Sequence, residues 1–510
     1  MRNFTVELSA GGARPMYEQL YAYLVAEIAG GGLARGEKLP SKRALSAHLS
    51  VSLNTVDAAY QMLVAEGYLE ARPRSGYYVC PLDALRPAGA APGSAGRPAD
   101  CVGPSGAAPR PDAEAAPFPA APEGPGGPSR DPGPAQTPPG QQTPPVLYDF
   151  STGSVDTALF PYKTWGRIQR GILAGGAALL NHGDRQGDPA LREAVARYLH
   201  EFRAVRCAPE QIVVGAGVEY LLGQLAALLR GRVFALENPG YNRVGSILAN
   251  SGARAVYVPV DGDGLRVGAL ADSGAQIVCA TPSHQFPTGA SMPLGRRAAL
   301  LAWAGERPGR LILEDDYDSE FRFDRKPVPS LQGIDRAGRV VYLGTFSRSL
   351  APSIRAAYMV LPPALLARYR ALFASYSSTV SRFEQQTIAR FIEEGHFARH
   401  LARLRVAYRG RRDALVSGIG AALGRERVSI QGAHTGLHLL LTVRGAQAET
   451  ELVDKARAAG VRLTGLSRYY VEDKESCPPS TVVLGYSALC EREIEAACRL
   501  LGEAWGGPPA

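Results

Sequence analysis

Paired or patterned cysteines are missing from this sequence. Its 510 residues include seven cysteines, and none of them forms a CxxC pair or another spacing typical of metal ligands. Such an odd, unpatterned set argues against a disulfide framework and a structural metal site. It favours reduced thiols in a cytosolic protein.

Long apolar runs are missing as well. No stretch reaches the ~18 apolar residues that a membrane-spanning helix needs, and the first ten residues, MRNFTVELSA, lack the apolar core of a secretory signal. We therefore expect a cytoplasmic protein that has no membrane partner.

A strong positive charge is absent from the N-terminal region. The whole chain has a formal net charge of +8, but residues 1–80 contain eight Lys or Arg against seven Asp or Glu. Bulk charge therefore gives little support for a nucleic-acid partner, and that inference has to come from motifs.

The composition divides the chain into three parts. Residues 81–145 contain 18 prolines, 10 glycines and 14 alanines, a composition that cannot bury enough apolar surface to offset the entropy of ordering. We predict a disordered linker there, with a typical span of roughly 45 Å. The predicted domains are residues 1–80 and 146–510.

Short apolar runs alternate with helical patterns after the linker. Runs of this kind predict buried strands joined by crossover helices, and hence an α/β fold with a mostly parallel seven-stranded sheet and helices on both faces. From about Ser375 the pattern is mainly helical with a few later strands, which predicts a small C-terminal α+β subdomain. The seven runs are 212–214, 233–236, 255–260, 277–280, 311–313, 340–343 and 357–360.

The N-terminal part predicts a helix-turn-helix. Apolar residues at Leu20, Leu24 and Ile28, spaced by four, indicate an amphipathic first helix. Ser41 and Ser52 are each suited to cap a further short helix. Two short helices joined by a tight turn are typical of a helix-turn-helix.

A wing follows these helices. Gly67 is a good helix stop, and residues 68–70 and 77–79 indicate two strands around a basic tip. The second short helix would enter the major groove, where Asn54 can read an adenine edge and Thr55 can bond a base or a phosphate. The predicted DNA contacts are Ser41, Lys42, Arg43, Ser52, Asn54, Thr55, Arg72, Arg74 and Gly76.

This segment closely resembles the DNA-binding domain of the GntR superfamily of bacterial regulators. The stretches LPSKRALSAHLSVSLNTV and AEGYLEARPRSGYYV carry the resemblance, over about residues 14–80. It implies binding to a double-stranded DNA operator. Many members have Arg where this chain has Leu53, so the resemblance leaves base reading or phosphate contact at that position open. The alternative is a winged helix that binds protein.

Four clusters of polar and small residues lie at predicted strand ends. GTFSRSLAPSIR offers Thr345, Ser347 and Arg355 to a phosphate. LILEDDYDSEF supplies acids, and an Asp beside a pyridine nitrogen would keep that nitrogen protonated. ENPGYNR places Tyr241 where it can stack on a ring, and VVGAGVEYLL opens a helix whose N-terminus suits a phosphate. Ligands of such sheets bind at the carboxyl ends of the strands.

Together the clusters resemble the pyridoxal-phosphate (PLP) aminotransferases of fold type I. They are still more similar to the MocR subfamily of GntR regulators, which joins both modules in this order, over nearly all of residues 148–503. The resemblance implies that Asp315 pairs with the pyridine nitrogen, Tyr317 bonds the ring hydroxyl and Tyr241 stacks on the ring. It also implies a homodimer with DNA-binding modules swapped toward the partner. The residues implied around the phosphate are Ala216, Gly217, Thr345, Ser347 and Arg355.

One residue departs from the family pattern. The family motif reads GTFSK, and its lysine forms a Schiff base with the cofactor, whereas this chain has Arg348. A guanidinium keeps its proton above pH ~12 and has no lone pair for attack on a carbonyl. No lysine lies between Lys326 and Lys455. We predict that PLP binds non-covalently at most, with Arg348 free to pair with a ligand phosphate or carboxylate.

Two further site types have incomplete patterns. The segment SCPPSTVVLGYS lacks the arginine that usually holds a substrate carboxylate near the final strand, and Arg243 and Arg468 are the loose candidates for that role. His396 and His400 lie four residues apart without a third ligand, so we predict no metal site.

The sequence thus predicts a MocR-like transcription regulator without transaminase activity. Its second domain either senses PLP, an amino acid or their adduct, or serves only for dimerisation. Asp315, Tyr317 and Arg355 favour sensing, because a scaffold does not require them. The alternative is a PLP-dependent aminotransferase with an accessory DNA-binding domain, and Arg348 argues against it.

Overall fold

The structure is a computed structural model of the chain. It describes residues 16–29, 33–34, 36–49, 51–65, 68–72, 76–79, 145–175, 177–323, 329–445 and 448–506. The chain divides into two units, residues 1–135 and 136–510. The predicted linker, except Pro145, lies outside the described residues, as do Gly67 and Arg74. No helix in the described ranges is long and apolar enough to cross a membrane.

The first unit contains the predicted helix-turn-helix and wing. Leu20, Leu24 and Ile28 lie on one face of the first helix and are buried against the other two helices. The two wing strands are antiparallel, with Leu69 opposite Val79. The elements are α1 (Met16–Ala29), α2 (Lys42–Leu49), α3 (Leu53–Ala65), β1 (Leu69–Arg72) and β2 (Gly76–Val79).

The second unit is built on an eight-stranded sheet, which contains all seven predicted strands. A two-residue edge strand, which the prediction of seven strands omitted, adds the eighth. The strands that start at 254, 233, 277, 311 and 340 are parallel to one another, whereas the strands that start at 264 and 357 pair antiparallel with their neighbours. The order is β4-β11-β10-β9-β8-β5-β6-β7. After β3 (Tyr148–Asp149), the strands are β4 (Ile212–Gly215), β5 (Val233–Asn238), β6 (Arg254–Asp261), β7 (Gly264–Leu265), β8 (Ile277–Ala280), β9 (Leu311–Asp316), β10 (Val340–Thr345) and β11 (Ala357–Val360).

Helices cover both faces of this sheet, as its continuous apolar strands predicted. On β4, Val213 packs into one apolar cluster while Ile212 and Val214 pack into another, so alternate side chains serve opposite faces. The helices are α4 (Tyr162–Ala174), α5 (Pro189–Arg203), α6 (Val218–Leu228), α7 (Asn242–Asn250), α8 (Leu294–Glu306), α9 (Leu331–Ile334), α10 (Pro363–Leu372), α11 (Arg382–Glu393) and α12 (His396–Leu423).

The C-terminal part forms the predicted α+β subdomain. Four antiparallel strands in the order β12-β13-β16-β15 carry it, and a separate parallel pair joins β14 to β3. Its elements are β12 (Val428–Gln431), β13 (His438–Val443), α13 (Glu449–Ala458), β14 (Val461–Arg462), β15 (Thr464–Gly465), β16 (Thr481–Gly485) and α14 (Glu491–Ala504).

Candidate functional site

The carboxyl ends of β9 and β10 bring two of the predicted clusters to one edge of the sheet. The strands are parallel neighbours, with Leu343 opposite Asp315. Tyr317 follows β9 directly, and Ser347 and Arg348 follow β10. The parallel arrangement therefore places these polar groups at the edge where such sheets bind ligands.

Asp315 is a buried carboxyl group with an open oxygen. Its Oδ1 has no hydrogen-bond partner among the described residues. Burial, followed by the charges of Asp316 and Glu237, raises the pKa of Asp315 to about 7. Because a buried acceptor without a donor is costly, this oxygen is suited to a donor from a ligand, such as the N–H of a protonated pyridine ring.

Asp316, the next residue, is held by the protein through one of its two oxygens, while its Oδ1 has no hydrogen-bond partner among the described residues. Arg203 donates to its Oδ2 at 2.7 Å, and the hydroxyl of Tyr342 donates to the same atom at 2.5 Å. Burial would raise the pKa of Asp316, but Arg203 and Tyr342 outweigh it and hold that pKa below its ordinary value. This acid is an ionised structural group.

Tyr317 is held by a histidine that the sequence analysis did not single out. Its hydroxyl donates to the carbonyl of His284 at 2.9 Å and lies 3.1 Å from His284 Nδ1. The same Nδ1 lies 2.9 and 3.0 Å from the two oxygens of Asp318. His284 lies in the segment TPSHQFPTG, outside the four clusters that the sequence indicated.

His438 on β13 completes this buried cluster. Its ring centroid lies 4.6 Å from that of His284. The three side chains His284, Asp318 and His438 have ligand atoms within 4.8 Å of one another, the one such group in the described ranges. His284 and Asp318 already bond to each other, and His438 Nε2 lies 3.0 Å from the carbonyl of Pro287. The hydrogen bonds of His284 Nδ1 hold this ring against Tyr317, while His284 Nε2 has no hydrogen-bond partner among the described residues.

Tyr241 and Asp315 line one cavity at the ends of β5, β8 and β9. The Tyr241 ring is 40% exposed and contacts Phe286 edge-on, with centroids 5.8 Å apart. An exposed aromatic ring that lines a mainly apolar cavity is available to a ligand ring. The guanidinium of Arg243, a candidate for binding a substrate carboxylate, lies 6.0 Å from the Tyr241 ring centroid.

Glu237 is a second acid in this cavity and was missed from the sequence. Its oxygens accept from the Thr281 hydroxyl at 2.6 Å and from the Gln285 amide at 3.2 Å. Burial raises the pKa of Glu237 to about 7. The only sequence signal was its place in ENPGYNR, directly after an apolar strand.

The predicted phosphate residues fall into two groups. Thr345 and Ser347 are brought together, because the Thr345 hydroxyl donates to Ser347 Oγ at 2.9 Å. Arg355 lies beside the turn before α6, where its Nη2 donates to the Ala216 carbonyl at 3.2 Å and to Glu219 at 2.9 Å. Arg355 therefore already has a carboxylate partner.

The turn before α6 leaves room only for glycine. Gly217 has φ +99°, and a Cβ built on it would lie 2.3 Å from Arg355 Nη2. The backbone N–H of Ala216 donates to Thr379 Oγ1 at 3.0 Å, a partner that no sequence pattern indicated. A phosphate bound at this turn would replace Thr379 Oγ1 as the acceptor of the hydrogen bond from the Ala216 N–H.

Arg348 is half-buried beside the aromatic side chains of the cavity. Its only hydrogen bond to a described residue runs from Nη1 to the Ser154 carbonyl at 3.4 Å. Burial raises the pKa of Tyr317 and of Tyr241, and the positive charge of Arg348 opposes this rise at both residues. The guanidinium thus lies within electrostatic reach of both tyrosines.

Arg468 lies close to the segment that carries Arg243. The side-chain amide of Asn242 donates to the Arg468 carbonyl at 2.6 Å. His396 and His400 do not converge on a site. His396 lies against Glu394 at 3.1 Å, and His400 is buried, which lowers its pKa to about 4.

The helix caps of the first unit match the sequence pattern. The Ser41 Oγ accepts from the Ala44 N–H at 3.2 Å, and Ser52 Oγ accepts from the Thr55 N–H at 3.1 Å. Ser52 Oγ also lies 2.8 Å from Thr55 Oγ1. These serines therefore order the first turns of α2 and α3. The side chains of Arg43 and Asn54 lie outside the described part of the chain.

Two of the basic side chains predicted to contact DNA, Lys42 and Arg72, already have partners. Lys42 forms an ion pair with Asp57 and lies 5.1 Å from the Tyr77 ring centroid. Asp57, followed by Tyr77, raises the pKa of Lys42. Arg72 pairs with Glu70 at 3.3 Å. These exposed pairs are weak and leave the cations on the surface.

Two other features lie on the same unit. Gly76 begins β2 with φ +117°, and a Cβ there would lie 3.2 Å from the Lys38 side chain. Leu53, at the start of α3, is 45% exposed. An exposed leucine at the N-terminus of a recognition helix can contact the methyl group of a thymine.

Comparisons with known proteins match both units. Residues 16–79 match the family "Bacterial regulatory proteins, gntR family", and residues 150–501 match "Aminotransferase class I and II". The chain is 36% identical to the uncharacterized HTH-type transcriptional regulator YdeL of Bacillus subtilis, over 96% of this chain and 97% of the relative.

Similarity extends to a named regulator and to solved enzymes. The chain is 34% identical to the probable rhizopine catabolism regulatory protein MocR of Rhizobium meliloti, over 96% of this chain and 94% of the relative. The crystal structure of the multiple substrate aminotransferase from Thermococcus profundus superimposes with a TM-score of 0.64 at 25% identity. The match covers 72% of this chain and 92% of that enzyme.

Proposed function

This chain belongs to the MocR-type transcription regulators, and we propose that its aminotransferase-like domain binds a ligand without catalysing a reaction. The relatives named above are regulators, and the enzymes share the fold of the second unit. In the proposed function, ligand binding in the second domain controls operator binding by the first. The proposed domains are residues 1–80 and 146–510, joined by the linker at 81–145.

Arg348 is the observation that carries this proposal. It follows β10, the parallel neighbour of the strand β9 that carries Asp315. Transamination needs a group that bonds to the cofactor and moves a proton between carbons. A guanidinium does neither at cellular pH. The residues around it are therefore assigned to binding and orientation.

The unpaired oxygen of Asp315 and the glycine turn at Gly217 fit a PLP-type ligand. PLP supplies an electron sink when it is bound to an enzyme. In this chain Asp315 would accept from the ring nitrogen, Tyr317 would bond the ring hydroxyl and Tyr241 would cover the ring. The proposed phosphate residues are Ala216, Gly217, Thr345, Ser347 and Arg355.

The first unit is proposed to read an operator through α3. Asn54 and Thr55 are assigned to base edges, because residues at the start of a recognition helix lie nearest the bases. A homodimer would present two such helices to two half-sites. The ligand would act by stabilising one arrangement of the pair, and so it must bind the two arrangements unequally. The proposed backbone contacts are Ser41, Lys42, Arg43, Ser52, Arg72, Arg74 and Gly76.

The test uses the purified full-length protein, its own upstream DNA and PLP. We expect operator binding at low salt that changes with PLP, and saturable heat in calorimetry without the absorbance band of covalently bound PLP. The Arg348→Lys variant should gain that band. Turnover of amino acids above the background of free PLP would contradict the proposal, as would failure to bind the DNA.

A further inference from the structure

The cation at residue 348 lacks a counter-charge. Five other arginines of this unit, at positions 192, 203, 355, 382 and 411, each pair with a carboxylate. Arg348 lies within ion-pair distance of no carboxylate in the described ranges, and its one hydrogen bond, to Ser154, is long at 3.4 Å.

The surroundings of Arg348 make an unpaired charge costly. It is half-buried, and the aromatic rings of Tyr241 and Tyr317 lie within its electrostatic reach. A charge in a partly desolvated site interacts strongly with an opposite charge that enters the site. An anion on the ligand would supply the missing partner.

The family's lysine and Arg348 occupy the same sequence position, and the chemistry of these two side chains indicates where that anion lies. In related enzymes the lysine at this position meets the carbon attached to position 4 of the pyridine ring. Replacing an ammonium by a planar guanidinium removes the nucleophile and adds parallel N–H donors that match a carboxylate. The neutral aldehyde of PLP is a poor partner for these N–H donors. The ammonium of the amine form of the cofactor repels the guanidinium.

We propose that the ligand of this site is a pyridine phosphate whose substituent at position 4 carries a carboxylate, either directly on the ring or on an amino acid joined through its nitrogen, and that Arg348 binds this carboxylate. This inference rests on the proposed function, because it takes the site to hold a PLP-type ring. It goes further by assigning the charge of the ligand and a specificity role to Arg348.

Two sources can supply such a carboxylate. Oxidation of the aldehyde gives a carboxylate on the ring, as in 4-pyridoxic acid 5'-phosphate. An amino acid joined through a C–N single bond gives a carboxylate one carbon beyond the nitrogen, as in N-(5'-phosphopyridoxyl)-L-alanine. The reference compound for the alanine adduct is N-(5'-phosphopyridoxyl)ethylamine, which lacks the carboxylate. The reference for 4-pyridoxic acid 5'-phosphate is pyridoxal phosphate, which has an uncharged aldehyde at position 4.

The experiment is calorimetric titration of the full-length protein and its Arg348→Gln variant with these four probes. In the natural protein at least one carboxylate probe should bind about tenfold or more tightly than its matched reference, as expected for a charge-assisted pair. In the Arg348→Gln variant that ratio should fall to about 1. The ethylamine probe should bind the variant at least as tightly as the natural protein, because its ammonium is no longer repelled by Arg348, and this binding shows that the variant retains the pocket.

The outcomes separate the two levels of inference. A gain for the alanine probe identifies an amino-acid adduct, and a gain for the pyridoxic acid phosphate identifies the oxidised ring. Equal binding of each acid and its reference in the natural protein overturns the carboxylate proposal alone. Failure of all four probes to bind overturns the proposed function and this inference with it.

Discussion

Asp315 and Asp316 are neighbours on β9, and each has one buried oxygen without a hydrogen-bond partner in the described ranges, but their surroundings differ. The other oxygen of Asp316 accepts hydrogen bonds from Arg203 and Tyr342, and the pKa of Asp316 is lowered. Asp315 has no ion pair in the described ranges, and its pKa is raised to about 7. Successive residues of a strand face opposite sides of the sheet, so one acid meets packed protein and the other meets the cavity.

The two acids therefore differ in role: Asp316 stabilises the fold through its ion pair, whereas Asp315 is available to a ligand. Buried polar groups are nearly always satisfied, so an exception calls for a reason. Arg348, which follows the neighbouring strand β10, forms no ion pair with a carboxylate in the described part of the chain. One acid and one cation left open at the same edge favour a ligand that supplies both a donor and an anion.

The largest effect on stability is expected when the ion pair between Asp316 and Arg203 is removed. Replacing Asp316 by Ala leaves Arg203 as an uncompensated buried charge, so the free energy of unfolding should fall by about 3–5 kcal/mol. Urea unfolding at pH 7 measures this. The control is Asp315→Ala, one residue along the same strand. A loss of the same size in that control would contradict the contrast between the two sides.

An intermediate effect is expected at the turn beside Arg355. Gly217→Ala places a Cβ 2.3 Å from Arg355 Nη2 at a backbone φ of +99°, so it should lower stability by about 1–3 kcal/mol and weaken PLP binding. Gly223→Ala on α6, where a Cβ meets nothing within 4 Å, is the matched control. It should leave binding unchanged and stabilise the helix slightly. Equal PLP affinity in both variants would remove this turn from the site.

The smallest effect, and one of opposite sign, is expected for Asp315→Asn. The folded protein holds a proton on Asp315 up to a pKa of about 7, whereas an unfolded Asp releases it near its ordinary pKa of 3.8. The natural protein should therefore lose stability relative to the variant as pH rises from 5 to 7. At pH 7 the variant should be as stable as the natural protein, or about 1 kcal/mol more stable.

Thermal unfolding in a series of buffers would measure this pH dependence. Parallel curves for the natural protein and Asp315→Asn would mean that Asp315 is ionised throughout and has a partner. PLP should protect the natural protein against heating more than it protects the variant, because the ring nitrogen needs an acidic partner at this position.

Local patterns allowed much of the fold to be predicted. Strand and helix signals lie within a few neighbouring residues, so the seven strands, the first amphipathic helix and the caps at Ser41 and Ser52 were accessible. The edge strand β7 was missed because two residues carry no periodicity. The family motifs also brought Asp315, Tyr317 and Arg348 forward as site candidates.

Contacts between distant segments could not be predicted in this way. Thr379 accepts a hydrogen bond from the N–H of Ala216, which lies 163 residues away in the sequence. His284 forms a hydrogen bond with Asp318, which lies 34 residues away. Lys42 was predicted to contact phosphate, and its pairing with Asp57 came only from the packing of α2 against α3. Such contacts depend on strand order and helix packing, which no local pattern specifies.

The sequence by itself determined the two modules, their elements and the arginine that replaces a reactive lysine, because each is written in consecutive residues. Only the tertiary structure decided which buried charges are satisfied. Arg203 reaches Asp316 across 113 positions, while no described residue reaches the open oxygen of Asp315. Hydrogen bonds act over about 3 Å in space, whatever the separation along the chain, and so the fold alone determines which polar groups remain for a ligand.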